Sequence, residues 1–129
     1  MQVRSITLVR HGRTAYNKAG RIQGWVDIPL DATGQWQVEQ TGRALRDLYV
    51  TSEPAARQLV VASDLTRAQQ SAHAFADPLG LDVHVDGRLR ERHFGDWEGM
   101  SMDELRAAFP DDFDLWMRGL GGEMRHRAE

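Results

Sequence analysis

The sequence predicts an α/β domain built on parallel strand pairs, and three observations carry that expectation. Short apolar, β-prone runs at Val3–Val9, Gln58–Ala62 and Val83–Val85 alternate with segments of helical period. The helical segments are bounded by capping residues at their starts and by glycine or proline at their ends. Polar clusters fall at the ends of the apolar runs or in the loops beside them. Strands that alternate with helices pair in parallel, because parallel neighbours need a crossover connection and a helix supplies one. The length of 129 residues suits one domain over 1–129, large enough to bury roughly two-thirds of its unfolded surface.

Val3–Val9 reads as the first strand, buried on both faces near its end. Residues 12–30 show no sustained period and carry Gly20, Gly24 and Pro29, so they read as a long loop, a kind of segment that is usually functional or disordered. Asp31 or Thr33 caps the next helix, whose apolar positions are Val38, Leu45 and Leu48, with Gly42 as its weak point. Ser52-Glu53-Pro54 ends that element. Gln58–Ala62 reads as a short buried strand, and Ser63 or Asp64 as the cap of the helix after it. Leu65, Ala68, Ala72, Phe75 and Leu79 form that helix's apolar stripe, and Gly80 stops it. Asp82 to Asp86 alternates polar and apolar residues as a third strand. Ser101-Met102-Asp103-Glu104 is a capping box opening a helix that ends before Pro110. Phe113, Leu115 and Trp116 belong to a final turn or two, stopped by Gly119, Gly121 and Gly122.

Composition narrows the function classes. There are no cysteines, which excludes disulfides and thiolate metal sites. No apolar run reaches membrane-spanning length, and Arg4 and Arg10 frame a short strand rather than a signal-peptide core. These features favour a cytoplasmic protein with no membrane partner. A net charge of −3 argues against general nucleic-acid binding. Of the sixteen basic residues only Lys18 is lysine, which as a whole reads as codon bias. Locally, arginine suits planar recognition of phosphate.

Arg10-His11-Gly12 at the end of the first apolar run is the most informative junction. Ligands of open α/β sheets bind beyond the carboxyl ends of the strands. There a guanidinium can grip a phosphate, an imidazole can act as nucleophile, and a glycine lets the backbone turn and approach a ligand. Gln23-Gly24 in the loop, Ser63-Asp64-Leu65-Thr66-Arg67 after the second strand and Glu91-Arg92-His93-Phe94-Gly95 after the third can converge on the same edge. Two arginines, a histidine, amide donors and a carboxylate suit phosphoryl transfer, which needs charge stabilisation on the transferring oxygens and a proton for the leaving group. The plainer alternatives are a helix-surface Arg67, a Glu91 paired with Arg88, Arg90 or Arg92, solvated His73, His84 and His126, and packing roles for Phe94 and Trp97.

Leu8-Val9-Arg10-His11-Gly12-Arg13-Thr14, with Asn17, Gln23-Gly24, Asp27 and Pro29-Leu30, resembles the opening signature of the histidine phosphatase superfamily, phosphoglycerate mutase-like branch. Ser63 to Ala72 is similar to its second motif, and Leu89-Arg90-Glu91 with Phe94-Gly95-Asp96-Trp97-Glu98-Gly99 to its third. The resemblance implies a three-layer α/β/α fold with a mostly parallel sheet. It implies His11 as the nucleophile that forms a phosphohistidine, Arg10 and Arg67 as binders of the phosphoryl oxygens, and Asn17 as a further donor. Gln23 and Gly24 would line the rim, and Glu91 would be the general acid. It implies no metal and no cofactor.

Two departures stand out. Arg13 occupies a position that is often acidic in the family, and no His-Gly pair follows a strand-like run after His93. The second histidine of the family's phosphoryl clamp is therefore not among these residues, and the chain reads as the N-terminal portion of a longer protein with an incomplete sheet. An unpaired sheet edge predicts self-association, as a homo-oligomer, or marginal stability. The leading functional expectation is a phosphoric monoester hydrolase acting on a small phosphorylated metabolite. The rivals are a cofactor-dependent phosphoglycerate mutase and a non-catalytic phosphate-ligand binding module. The stretch from Phe94 to Gly99 looks more like the phosphatase branch.

Overall fold

The structure, a computed structural model, describes residues 2–50 and 54–119. Its centre is a parallel pair of strands joined by a crossover helix. Strand β1 (Val60–Ala62) pairs with β2 (Val83–Val85) in the register Val60 to Val83, Val61 to His84 and Ala62 to Val85. Helix α3 (Thr66–Ala76) connects them. The Asp86 amide donates to the Ala62 carbonyl at 2.8 Å and carries the ladder one step past β2. The helix then runs through a 3-10 turn at Asp77–Leu79 and stops at Gly80, whose φ of 67° lies in the left-handed region. The α/β class with a parallel sheet and packed helices holds.

Three sequence expectations about the strands are corrected. Val3–Val9 is not a strand: it is exposed along its whole length, with Leu8 at 91 % and Ile6 at 77 % accessibility. Its run of β-branched residues supplies propensity, but among the described residues no strand lies beside it, and a strand exists only through pairing. The Gln58–Ala62 strand shortens to Val60–Ala62, because Ala55–Arg57 forms a 3-10 turn whose carbonyl at Ala55 takes the Gln58 amide. It is also only partly buried, since Leu59 and Val61 are exposed.

Residues 12–30 are not wholly loop. They contain a short helix, α1 (Ala15–Ala19), opened by a capping box in which Thr14 and Asn17 exchange side-chain-to-backbone bonds. Helix α2 (Ala32–Leu45) starts at Asp31, whose carboxylate accepts from the Gly34 amide at 2.7 Å, and continues into a π-helical turn at Arg46–Val50. Gly42 is no weak point: it is buried against α3, where a Cβ would meet the Ala74 carbonyl oxygen at 2.8 Å. Arg46 follows it and donates to the Ala74 and Phe75 carbonyls at 2.9 and 3.3 Å, a cation placed at the negative end of α3.

The start of α3 also differs from expectation. Neither Ser63 nor Asp64 caps it. Leu65 stands at the cap position, and Asp27 reaches across from the long loop to accept from the Thr66 amide at 2.7 Å and the Thr66 hydroxyl at 3.0 Å. Asp64 instead pairs with Arg90.

Buried apolar residues occur on β1, α2 and α3 (Ala62, Val38 and Ala76), and a separate contiguous cluster forms the apolar core. Ile22, Trp97, Leu105 and Phe113 are its buried members, and Phe94, Met100, Met102, Phe109 and Trp116 pack around them. The elements that deliver these side chains are a 3-10 turn (Gly95–Trp97), α4 (Met102–Ala108) and α5 (Pro110–Met117). The Ser101–Glu104 capping box that opens α4 is formed as its sequence implies. Full burial of each large apolar side chain contributes about 1.5–3 kcal/mol, so this cluster anchors the segment that follows β2. Arg21 and Ile22 clip the long loop onto it: the Ile22 amide donates to the Met100 carbonyl at 3.0 Å, and the Gly99 amide to the Ile22 carbonyl at 2.8 Å. Ser52, Glu53, Gly121, Gly122 and His126 lie outside the described residues. Among the described residues no helix is long and apolar enough to cross a membrane.

Candidate active site

Gly12 fixes where His11 can be. It is buried, and a Cβ there would meet the Gly34 carbonyl oxygen at 2.5 Å and Val38 at 2.9 Å. Its role is close approach to α2, not the left-handed turn that a glycine at this junction suggests, since its φ is not positive. The Gly12 amide donates to the Ser71 hydroxyl at 3.1 Å, and that hydroxyl donates to the Arg67 carbonyl at 2.7 Å. The segment holding His11 is thereby hydrogen-bonded to the helix that holds Arg67.

His11 is half-buried, and its Nδ1 lies 2.7 Å from the Gly12 carbonyl oxygen. A carbonyl only accepts, so Nδ1 carries the proton and Nε2 keeps its lone pair. Burial pushes the imidazole below its ordinary value, opposed by the Gly12 carbonyl; the Arg67 and Arg10 charges push it further down and Glu91 pulls it up. Arg10, Arg67 and Glu91 are thus the charged groups that act on His11. Arg10 itself is exposed.

Arg67 is not a surface residue: only 2 % of it is accessible. Its Nη1 donates to the Val26 carbonyl at 2.8 Å and its Nη2 to the Gly24 carbonyl at 2.7 Å. These contacts use two of a guanidinium's five donors and set the plane of the fork. Burial lowers the Arg67 pKa, and the carboxylates of Glu91, Asp27 and Glu98 raise it. Gly24, at φ 52°, turns the chain so that its carbonyl reaches this arginine, and a Cβ there would meet the Glu98 carboxylate at 2.2 Å.

The rim residues are held more tightly than the sequence indicates. The Gln23 side-chain oxygen accepts from the Thr14 hydroxyl at 2.6 Å, with both residues buried. Asn17 spends its side-chain oxygen on the Thr14 amide at 3.0 Å, so only its NH2 end suits an anionic ligand. Glu91 is exposed, and its carboxylate accepts from the Arg92 amide at 2.8 Å. The pairings weighed for it with Arg88 and Arg90 do not form, since Arg88 bonds Asp86 and Arg90 bonds Asp64. Among the described residues no three His, Asp or Glu side chains gather as metal ligands would.

Sequence reasoning missed Trp25 and Glu98. The Trp25 amide donates to the Glu98 carboxylate at 2.9 Å, and the Trp25 indole Nε1 donates to the Glu91 carbonyl at 2.7 Å. A single cue was visible: a tryptophan directly after a glycine in an otherwise polar rim. The open hollow lined by Arg13, Lys18 and Asp31 lies at the α1–α2 junction, and there the Arg13 Nε bonds Asp31 at 2.7 Å.

Comparisons with known proteins establish the family of the chain. A family model for the histidine phosphatase superfamily (branch 1) matches residues 6–129. The chain is 42 % identical over 116 residues to a glucosyl-3-phosphoglycerate phosphatase of Mycolicibacterium vanbaalenii, covering 90 % of this chain and 48 % of the relative. It is 40 % identical over 115 residues to a probable phosphoglycerate mutase of Enterobacter, covering 89 % of this chain and 48 % of that one. A solved mycobacterial glucosyl-3-phosphoglycerate phosphatase in complex with VO3 superposes with a TM-score of 0.72 at 36 % identity, covering 82 % of this chain and 49 % of the other. The chain spans about half the length of the curated relatives it matches. With the motifs, the parallel β–α–β unit and the matched span in agreement, the chain belongs to the histidine phosphatase superfamily, branch 1.

Proposed function

We propose that this chain carries the nucleophile, the phosphoryl-binding arginine and the general acid of a phosphatase acting on a small phosphorylated metabolite. The observation that carries the reading is the pairing of a buried, carbonyl-held Arg67 with a His11 whose proton is parked on Nδ1. In the first step the Nε2 lone pair of His11 attacks phosphorus while Arg67 and Arg10 offset charge on the phosphoryl oxygens. The phosphorus–oxygen bond to the leaving alcohol breaks, and that oxygen takes a proton from the Glu91 carboxylic acid. In the second step water attacks the phosphohistidine and gives its proton to the Glu91 carboxylate. Inorganic phosphate leaves and neutral His11 returns. Asn17, Gln23 and Gly24 form the rim.

The similarity to both a sugar-phosphoglycerate phosphatase and a phosphoglycerate mutase supports a substrate of small, acidic, phosphorylated type. A cysteine-free chain suits a cytoplasmic location, and the exposed Val3–Val9 run suits contact with a further strand, including one from a second copy. The mutase reading keeps one argument, the phosphoglycerate mutases among the relatives. The experiment that separates the readings supplies 3-phosphoglycerate and compares free phosphate with 2-phosphoglycerate, alongside acid-labile, base-stable labelling of His11. In a protein of its relatives' full length that carries this chain, phosphate release together with label on His11 that is lost in His11→Ala is expected, whereas the 129-residue chain alone is expected to turn over little or not at all. Isomerisation without phosphate release replaces the phosphatase with the mutase, and absence of label leaves a binding module.

A further inference from the structure

We propose that Trp25 is a positioning residue for Glu91, and that Gly24-Trp25-Val26 acts as one tie setting the general acid and the phosphoryl-binding arginine in a common register. The inference rests on the reading of Glu91 as the acid. Three consecutive residues make the connection. The carbonyls on either side of Trp25, those of Gly24 and Val26, hold the two ends of the Arg67 fork. The indole Nε1 between them donates to the Glu91 carbonyl at 2.7 Å. A displacement of this tripeptide therefore moves both partners of the reaction together.

The indole is itself held in place. The His93 ring stacks on it with centroids 4.3 Å apart and planes 8° from parallel, and the Arg90 guanidinium carbon lies 4.7 Å from its centroid. Arg90 is anchored in turn by Asp64 at the end of β1, through Nε to Oδ1 at 2.6 Å. On the backbone side, one Glu98 oxygen accepts from the Trp25 amide at 2.9 Å and from the Phe94 amide at 3.1 Å, which pins the loop to the chain just past Glu91. Packing alone does not account for the residue. Trp25 is 41 % exposed and stands outside the Ile22–Trp97–Leu105–Phe113 core. A tryptophan so placed contributes through its donor and its orientation.

Trp25→Phe keeps a ring for His93 and Arg90 and removes only the indole donor. The readout is the dependence on leaving group, because a general acid matters when the departing oxygen is basic and is dispensable when it is not. With phenyl phosphate, turnover by the Phe variant falls about tenfold or more, while with dinitrophenyl phosphate it stays within about twofold, and inorganic phosphate inhibits both proteins alike. Equal losses on the two substrates, or none on either, overturn the tie. Glu91→Gln is the control for the underlying reading: if that variant shows no leaving-group dependence, Glu91 is not the acid and the proposal falls with it. A second measurement needs no turnover. In the 129-residue chain, amide hydrogen exchange at Arg92 and Phe94 speeds up about tenfold in Trp25→Phe while α3 is unchanged. Unchanged protection at those two amides overturns the proposal independently.

Discussion

Arg67, the proposed phosphoryl binder, joins loop stability to that proposed role in one side chain. Its fork satisfies two loop carbonyls, so Arg67→Ala leaves both acceptors without their donor. The expected loss of unfolding free energy is about 1–3 kcal/mol, read by urea denaturation, with a larger loss when inorganic phosphate is present. Arg67→Lys restores the charge but not the planar fork, so phosphate protection returns only in part. A fully stable Ala variant would show that the loop holds without this residue. His11 adds a pH dependence whose sign follows from its depressed pKa. The unfolded chain takes up the imidazole proton first, near the ordinary value of about 6.5. Stability is therefore fully present above that value and declines as pH falls from it toward the lower folded value. His11→Gln flattens the stability profile in that window, and an NMR titration places the His11 midpoint below that of a model histidine. The types of residue were legible in the sequence, but the burial of Arg67 was not. Helical spacing alone leaves an arginine on the surface, and the carbonyls of Gly24 and Val26, with the carboxylates of Glu91, Asp27 and Glu98, make its burial tolerable.

At the scale of elements, α2 and α3 approach through Gly42. Alanine has the better helix propensity by about 1 kcal/mol, yet its Cβ would press on the Ala74 carbonyl. Overpacking of this kind costs about 1–3 kcal/mol, so Gly42→Ala is expected to lower the melting temperature, and a rise would mean that the helices part easily. The same contact shows what sequence reading misses. A glycine in a helix looks like a defect until the neighbouring helix is known. The cap of α3 departs from the sequence expectation for a related reason: Asp27, a long-range partner invisible to spacing rules, outcompetes the local candidates Ser63 and Asp64. Helix α1 is illegible in the sequence because five residues are too few to display a period. Its Thr14–Asn17 box was the available signal, with asparagine where glutamate or glutamine is usual. The capping box of α4 and the β–α–β unit were legible because their signals are local and strongly periodic.

Across the whole molecule, the Val3–Val9 run presents apolar side chains to solvent, and the sheet among the described residues has two strands. Its β propensity was plain in the sequence, whereas its pairing depends on whatever lies beside it. Such a run seeks another strand. The 129-residue chain is expected to associate in light scattering at micromolar concentration, and Ile6→Lys with Leu8→Lys to shift it toward monomer. A wild-type chain that stays monomeric across that range would remove the run as an adhesive edge.

The position of His11 has a dynamic consequence. On its carboxyl side the chain is wedged at Gly12 between Gly34, Val38 and Ser71; on its amino side it is exposed from residue 10 back to residue 2. The proposed nucleophile sits on a boundary between a packed body and a solvent-exposed arm. Backbone order parameters are expected to climb steeply from Arg10 to Gly12, toward the value of about 0.85 typical of rigid chain. Seating the arm would then quieten the imidazole without touching it, so the precision of the proposed attack becomes a property of how well residues 2–10 are held.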